Sequence, residues 1–236
     1  MNPIEDSVGV IIHAGVSALD TLIHGPSGSR SLKGEQKEKN PSGPMTDAQI
    51  AKVTVGSPPK RLDGPVVLAE YDPSWPALFA REAERIGSVL GARALMIEHV
   101  GSTSVPLLAA KPIIDILLVV EDTRDESSYV PALESVGYVL RVREPDWHEH
   151  RLFKGPDTSV NMHVFSRGDG EIERMLVFRD WLRVSKEDRE LYEKTKRGLA
   201  GKTWRYTQNY ADAKSAVVAS IIKRAYEARD RSYGTS

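Results

Sequence analysis

Residues 94–120 of the 236-residue chain read ALMIEHVGSTSVPLLAAKPIIDILLVV, which is an apolar run, a Gly-Ser-Thr-Ser turn and a second apolar run. Apolar runs rich in β-branched residues favour strands, and the small residues between them favour a tight turn. Gly101 permits positive φ and close backbone approach, so the turn can present N–H groups and hydroxyls to an anion. The stretch predicts a strand–turn–strand unit with a phosphate site at Gly101, Ser102, Thr103 and Ser104.

Two charged residues stand close to this turn in the sequence. Asp115 interrupts an otherwise apolar strand. A carboxylate there is costly to desolvate unless it is paired, hydrogen-bonded or bound to a cation. Lys111 is either its partner or a further contact for the phosphate, so we expect a charged site beside the turn.

Length and composition restrict the class of protein. The length suits one sizeable core plus an extension, and the net charge of −1 gives no support for a broad nucleic-acid or membrane surface. The chain has no cysteine, which excludes disulfides and thiol chemistry. No apolar run reaches membrane-spanning length, and Glu5 and Asp6 do not suit a secretory signal. We therefore expect a cytoplasmic protein with a small-molecule partner.

The composition divides the chain near residue 60. Residues 8–23 could form a short helix, whereas residues 25–44 are mainly Gly, Ser, Pro, Lys and Glu and cannot bury enough apolar surface to order themselves. We predict a mostly disordered or weakly structured extension over residues 1–60 and a folded domain over residues 61–230.

Periodicity within the domain predicts alternating strands and helices. We expect an edge strand at 66–68, a helix opened by Asp72-Pro73 with Glu82 at the edge of its apolar face, and a short helix at 129–136. Strands at 138–142, 150–154 and 160–166 then complete a mixed sheet, with a hairpin turn at 155–157. Helices are predicted at 172–183, 186–199 and 207–228, with Lys214 on or beside the buried face of the last one.

A Gly-Ser turn followed by a strand aspartate resembles the nucleotidyltransferase superfold. A longer set of motifs resembles one of its families, the GrpB family: Tyr71-Asp72-Pro73-x-Trp75, residues 98–106, residues 109–116, residues 162–165, residues 178–182 and Tyr210-x-x-x-Lys214. The resemblance covers about residues 65–226. It implies an α/β (α+β) fold with a mixed sheet, flanking helices and C-terminal helices. It also implies nucleotide phosphates at the turn and Mg²⁺ on strand carboxylates, and the family also occurs fused to dephospho-CoA kinase.

The chain departs from the superfold pattern at two positions. A second carboxylate is usual two residues after the first, where this chain has Leu117, and a third is usual on a neighbouring strand, where it has His163. In-line nucleotidyl transfer with two metals needs such carboxylates. We therefore expect at most one Mg²⁺, held by Asp115 and His163, with His163 as metal ligand or general base. The alternative for His163 is a satisfied core or rim histidine.

Other basic residues have a functional and a structural interpretation. Arg151 and Arg179 suit bidentate phosphate recognition, and the alternative for Arg179 is an ion pair with Asp180 or Glu173. Lys214 either reaches a polar pocket or extends to the rim. His148-Glu149-His150 could place two imidazoles at metal-ligand spacing on one strand face, but an exposed loop beside Trp147 is favoured. A basic cluster near Trp204 and Tyr206 could bind a polyanion, but a solvated helix face is favoured: Lys194, Lys196, Arg197, Lys202 and Arg205.

The sequence leaves two main functional hypotheses. One is a nucleotidyltransferase-type enzyme that binds a nucleotide or other phosphorylated substrate at the Gly-Ser turn, with Asp115 and His163 as catalytic residues and Lys111, Arg151, Arg179 and Lys214 on the phosphate. The other is a non-catalytic nucleotide-binding or accessory domain, linked through the fused relatives to CoA metabolism. A third is an interaction protein in which these residues only support the fold.

Overall fold

A five-stranded mixed sheet forms the centre of the molecule. The structure is a computed structural model, and it describes residues 44–233, with side chains as far as residue 231. The strands are β1 (Met96–Val100), β2 (Ile114–Val120), β3 (Val139–Glu144), β4 (His150–Lys154) and β5 (Val160–Ser166), in the spatial order β1-β2-β5-β4-β3. The β2–β5 pair is parallel, and the other three pairs are antiparallel.

Seven α-helices surround this sheet within the described residues. They are α1 (Asp47–Val53), α2 (Trp75–Leu90), α3 (Val130–Ser135), α4 (Gly170–Val184), α5 (Lys186–Ala200), α6 (Thr207–Asp212) and α7 (Ser215–Tyr233). The α/β class with a mixed sheet and C-terminal helices is confirmed. None of the helices within residues 44–233 has the length and apolar character needed to cross a bilayer.

The two faces of the sheet pack against different helices, because side chains alternate along each strand. Ile114, Ile116 and Leu118 of β2 join the main core with apolar residues of α2 and α3. The opposite face of the same strand carries Asp115 and Leu117. Leu117 is fully buried in an apolar cluster with residues of α4, and Asp115 lies next to the turn after β1. The second face therefore positions the candidate site.

The N-terminal part of the described chain differs from the predicted extension. Thr46 caps the N-terminus of α1 and forms a capping box with Gln49. Ile50 is 1% exposed and packs with Met45 and Tyr206. Residues 44–53 are thus part of the packed structure, although the prediction placed them in the extension. The predicted helix at 8–23 and the rest of the extension up to residue 43 lie outside the described residues.

Two predicted elements have different forms in the structure. Residues 66–68 make no strand, and this segment contacts the rest of the fold through isolated bridges at Gly64 and Ala69. The predicted helix at 207–228 is two helices, because α6 ends at Asp212 and α7 starts at Ser215. Lys214 lies at this break and is 5% exposed.

Candidate functional site

A cavity lies between the turn after β1, the second face of the sheet and helices α4 to α7. It holds about 1030 Å³ of space not occupied by protein atoms, including its mouth. Trp147, Phe165, Met175 and Phe178 provide an apolar wall. The polar lining comes from Gly101, Ser102, Thr103, Lys111, Asp115, Asn161, His163, Glu171, Arg174, Tyr192, Lys196, Tyr210 and Lys214. Most of the residues predicted for the site therefore lie around one cavity.

Gly101 is required where the turn meets the carboxylate. Its φ is +67°, and a Cβ there would lie 2.8 Å from Asp115 Cβ and closer still to one carboxylate oxygen. Both the positive φ and the contact exclude an ordinary side chain. The sequence-based expectation of close backbone approach is correct, but the group approached is the Asp115 side chain.

A row of two consecutive hydrogen bonds, in addition to the Gly101 contact, fixes the position of Asp115. Lys154 donates to Asn161 Oδ1 at 2.5 Å, and Asn161 Nδ2 donates to Asp115 Oδ1 at 2.8 Å. Burial raises the pKa of Asp115, while the Asn161 bond and the charges of Lys154, Lys111 and Lys214 act in the opposite direction. The row presents Asp115 to the cavity as a hydrogen-bond acceptor.

A second row runs through two buried imidazoles. Glu144 Oε2 lies 2.9 Å from His150 Nδ1, and His150 Nε2 lies 3.2 Å from His163 Nδ1. His163 Nε2 is then 4.0 Å from Asp115 Oδ1. Burial is the main cause that lowers the pKa of His163 well below its usual value. His163 therefore lines the cavity as a neutral imidazole.

Three lysines reach the same cavity from different elements. Lys111 precedes β2, Lys196 is on α5, and Lys214 lies between α6 and α7. Lys196 is 2% exposed, donates to Ser102 Oγ at 3.0 Å and also bonds the Ala109 carbonyl. The Lys214 ammonium lies 4.1 Å from the Tyr210 ring centroid.

Burial changes the acidity of two of these lysines. Burial and the nearby Lys111 charge lower the pKa of Lys214 to about 7, although Asp115 and Asp212 oppose the change. Burial and the Lys214 charge likewise lower the pKa of Lys196 well below its usual value. The ammonium groups are thus destabilised in the absence of an anion.

The charges of the lining favour an anion over a cation. Glu171 and Arg174 pair with each other, and the lining also holds three lysines and one further carboxylate, Asp115. Within residues 44–233, no group of three or more His, Asp or Glu side chains could hold a metal ion. A single Mg²⁺ held by Asp115 and His163 would meet repulsion from the nearby ammonium groups, so it stays a prediction for experiment.

The three hydroxyls of the turn have different partners. Ser102 Oγ accepts from Lys196 at the cavity. Thr103 lines the cavity too, but its hydroxyl donates to the Ile113 carbonyl at 3.0 Å. Ser104 donates to the Gly101 carbonyl at 2.6 Å. The prediction that all three hydroxyls serve an anion is corrected, since Thr103 and Ser104 brace the turn.

Two predicted phosphate ligands lie elsewhere. Arg151 points to the opposite face of β4 from His150, where it donates to Glu126 at 2.6 Å. Arg179 lies behind the turn, where it donates to Asp180 at 2.8 Å, to Glu98 at 2.7 Å and to the His99 carbonyl at 3.0 Å. Neither residue lines the cavity. Arg151 faces away from the cavity because side chains alternate along β4. Arg179 forms ion pairs, which was the alternative to phosphate binding.

Sequence patterns missed several residues of the site. Lys196 was assigned to a solvated helix face, and His150 to an exposed loop, but both are buried. Asn161 lies two residues before His163, so the alternation of side chains along a strand predicts that both lie on the same face. Glu82, predicted at the edge of an apolar face, is also fully buried and accepts from the Tyr138 hydroxyl at 2.6 Å.

The fold and the cavity define an α/β protein with a mixed sheet and a lysine-rich pocket at a Gly-Ser turn. The model of the family described as GrpB protein matches residues 65–224. The chain therefore belongs to the GrpB family.

Relatives and a solved structure agree with this family. A UPF0157 protein of Halalkalibacterium halodurans is 61% identical over 189 residues, which cover 80% of this chain and 96% of that protein. A protein named dephospho-CoA kinase, from Mycolicibacterium paratuberculosis, is 29% identical over 70% of this chain, but only 47% of that protein is covered. The crystal structure of conserved protein GrpB from Enterococcus faecalis has 31% identity and a TM-score of 0.62, over 69% of this chain and 99% of that one.

Proposed function

We propose that this protein binds a phosphorylated small molecule of the nucleotide class, with its phosphate at Ser102 between Lys196 and Lys214. The supporting observation is that three lysines converge on a cavity that holds two carboxylates, Asp115 and the Arg174-paired Glu171. Buried ammonium groups are costly unless a counter-charge approaches them. A phosphate dianion at Ser102 would supply that charge and accept hydrogen bonds from both lysines.

The apolar wall suits the rest of such a ligand. Trp147, Phe165, Met175 and Phe178 line the cavity together with the polar residues. Flat aromatic and thioether surfaces pack well against a base or another apolar group. We place the phosphate at the turn and the less polar part of the ligand on this wall. The relative named dephospho-CoA kinase supports a link of this ligand to CoA metabolism.

A nucleotidyltransferase-type activity is the second candidate function. Asp115 and His163 stand side by side at the cavity, which favours chemistry there. Leu117 occupies the place of the second carboxylate and is fully buried among apolar residues, which favours binding without turnover. We derive no step through Mg²⁺, and its participation stays a prediction for experiment.

Thermal unfolding with ligands tests the proposal. Inorganic phosphate, pyrophosphate and ATP should each raise the Tm, because a ligand that binds only the folded state stabilises it. Lys196→Met should remove the increase, and Lys194→Met, on the exposed side of the same helix, should retain it. The proposal fails if wild type shows no increase with any of the three compounds.

Two further arms separate the candidate functions. If no metal takes part, phosphate should still raise the Tm of Asp115→Asn, and of wild type in EDTA. If ATP raises the Tm of wild type but fails to do so in both of these cases, one Mg²⁺ at Asp115 is supported. Product analysis after incubation with ATP and Mg²⁺ then distinguishes an enzyme from a binding protein.

A further inference from the structure

A continuous row of buried hydrogen-bonding groups crosses the sheet and ends at the cavity. It passes from Glu144 on β3 through His150 on β4 to His163 on β5. Their exposures are 3%, 0% and 4%, so no step of the row is open to bulk water. Trp147 and Phe165 pack against the His150 ring, with centroids 5.5 and 4.9 Å away.

The first group of the row determines the position of each hydrogen. An ionised carboxylate only accepts, so the 2.9 Å contact places a hydrogen on His150 Nδ1. A neutral imidazole with that hydrogen carries a lone pair at Nε2. The hydrogen of the 3.2 Å contact between the rings therefore belongs to His163 Nδ1. The lone pair of His163 is then at Nε2, on the cavity side.

The surroundings favour this arrangement over one with an extra proton. A cationic His150 would donate from Nε2, and His163 would then carry its hydrogen on Nε2 instead. Burial and the charge of Lys154 disfavour a charged His163, whereas the charge of Glu144 favours it. Trp147 and Phe165, which pack on the His150 ring, make this part of the sheet apolar. We take the row as neutral, with one hydrogen on each imidazole.

We infer that Glu144 and His150 are positioning residues that hold His163 Nε2 as a hydrogen-bond acceptor, and that the ligand presents a hydroxyl or amine hydrogen to it. This inference rests on the proposed function for the location of the phosphate. Asp115, 4.0 Å from Nε2, is an acceptor as well. The polar end of the cavity therefore combines donors for an anion with two acceptors for a neighbouring hydroxyl. The ligand class becomes a phosphorylated compound with a free hydroxyl or amine, such as a ribonucleotide with its sugar hydroxyls.

Nitrogen-15 NMR of the full chain tests the hydrogen positions. In wild type, His163 should show a protonated Nδ1 and an unprotonated Nε2 near neutral pH. A protonated Nε2 would overturn the inference, and this result needs no variant.

Two variants test the positioning role of Glu144. In Glu144→Gln the amide can donate or accept, so His163 should become a mixture of both tautomers. Glu149→Gln is the matched control, since Glu149 precedes His150 but pairs with Arg151 on the other face. An unchanged His163 tautomer in folded Glu144→Gln would show that Glu144 has no such role.

Calorimetry with a matched ligand pair tests the class of ligand. Wild type should bind AMP roughly tenfold more tightly than 2′,3′-dideoxy-AMP, because the analogue leaves a buried acceptor without its hydrogen. His163→Phe should remove this preference, because the ring no longer offers an acceptor to the ligand hydroxyl. If wild type binds inorganic phosphate but binds AMP and its analogue with equal affinity, the hydroxyl requirement is refuted and the proposed function is not. Failure of phosphate to bind would instead refute the proposed function.

Discussion

The titration of Lys214 should make ligand binding depend on pH in a defined way. Its pKa is lowered to about 7 by burial and by Lys111, from an ordinary value of 10.5. A bound phosphate favours the ammonium form and raises this pKa again. Binding should therefore take up protons: about 0.5 at pH 7 and about 0.9 at pH 8 from this residue. Affinity should fall by about tenfold per pH unit above pH 8, until the pKa of the bound form is reached.

Calorimetry in buffers of different ionisation enthalpy measures this proton uptake directly. Lys214→Met should bind phosphate more weakly and take up fewer protons than wild type at pH 8. Lys214→Arg should still bind phosphate, but this residue should take up no proton on binding, because arginine stays charged. Lys223→Met, an exposed lysine of α7 paired with Glu227, is the control and should match wild type. Equal proton uptake by wild type and Lys214→Met would refute the placement of the phosphate near Lys214.

Three further variants test the turn, the cavity and the core. Gly101→Ala should lower the free energy of unfolding by more than the roughly 1–3 kcal/mol that backbone strain alone costs, because the new Cβ would meet the Asp115 carboxylate. The control is Gly168→Ala, at φ +81° with open space around it, which should lose only the free energy of the strain. Chemical denaturation measures both, and equal losses would refute the close contact. Lys196→Met should remove phosphate binding, measured by calorimetry. Its unfolding free energy should stay close to that of wild type, because the removal of an ammonium group from the interior offsets the lost contacts with Ser102 and Ala109; a large loss of stability would show a structural role. Tyr138→Phe should cost about 1–2 kcal/mol in urea unfolding, because the buried Glu82 Oε2 loses its hydroxyl donor, and no loss would contradict that bond.

Local patterns in the sequence were sufficient for the strand–turn–strand unit. The Gly-Ser turn and Asp115 fall where predicted, because β-branched runs and a positive-φ glycine determine structure over a few residues. The hairpin after β4 follows from the same kind of local turn chemistry. The residues close in sequence to Gly101 were therefore the predictable part of the site.

Residues that join the site through long-range packing were harder to predict. Lys196 is 94 positions from Ser102, and its helix carries so many charges that a solvated face was the simpler interpretation. His150 is buried only because β4 lies between β3 and β5, a strand order that the sequence pattern leaves open. Arg151 was placed at the wrong face because its role was transferred by resemblance, without the strand register.

The most direct measurement for the whole account is a crystal structure of the protein soaked with a thiophosphate nucleotide, whose sulfur locates the phosphate by anomalous scattering. We predict the phosphate within hydrogen-bond distance of Ser102 Oγ and the Lys196 and Lys214 ammonium groups, with a sugar hydroxyl toward His163. A phosphate bound away from this cavity, beside Arg151 or Arg179 for example, would contradict the account.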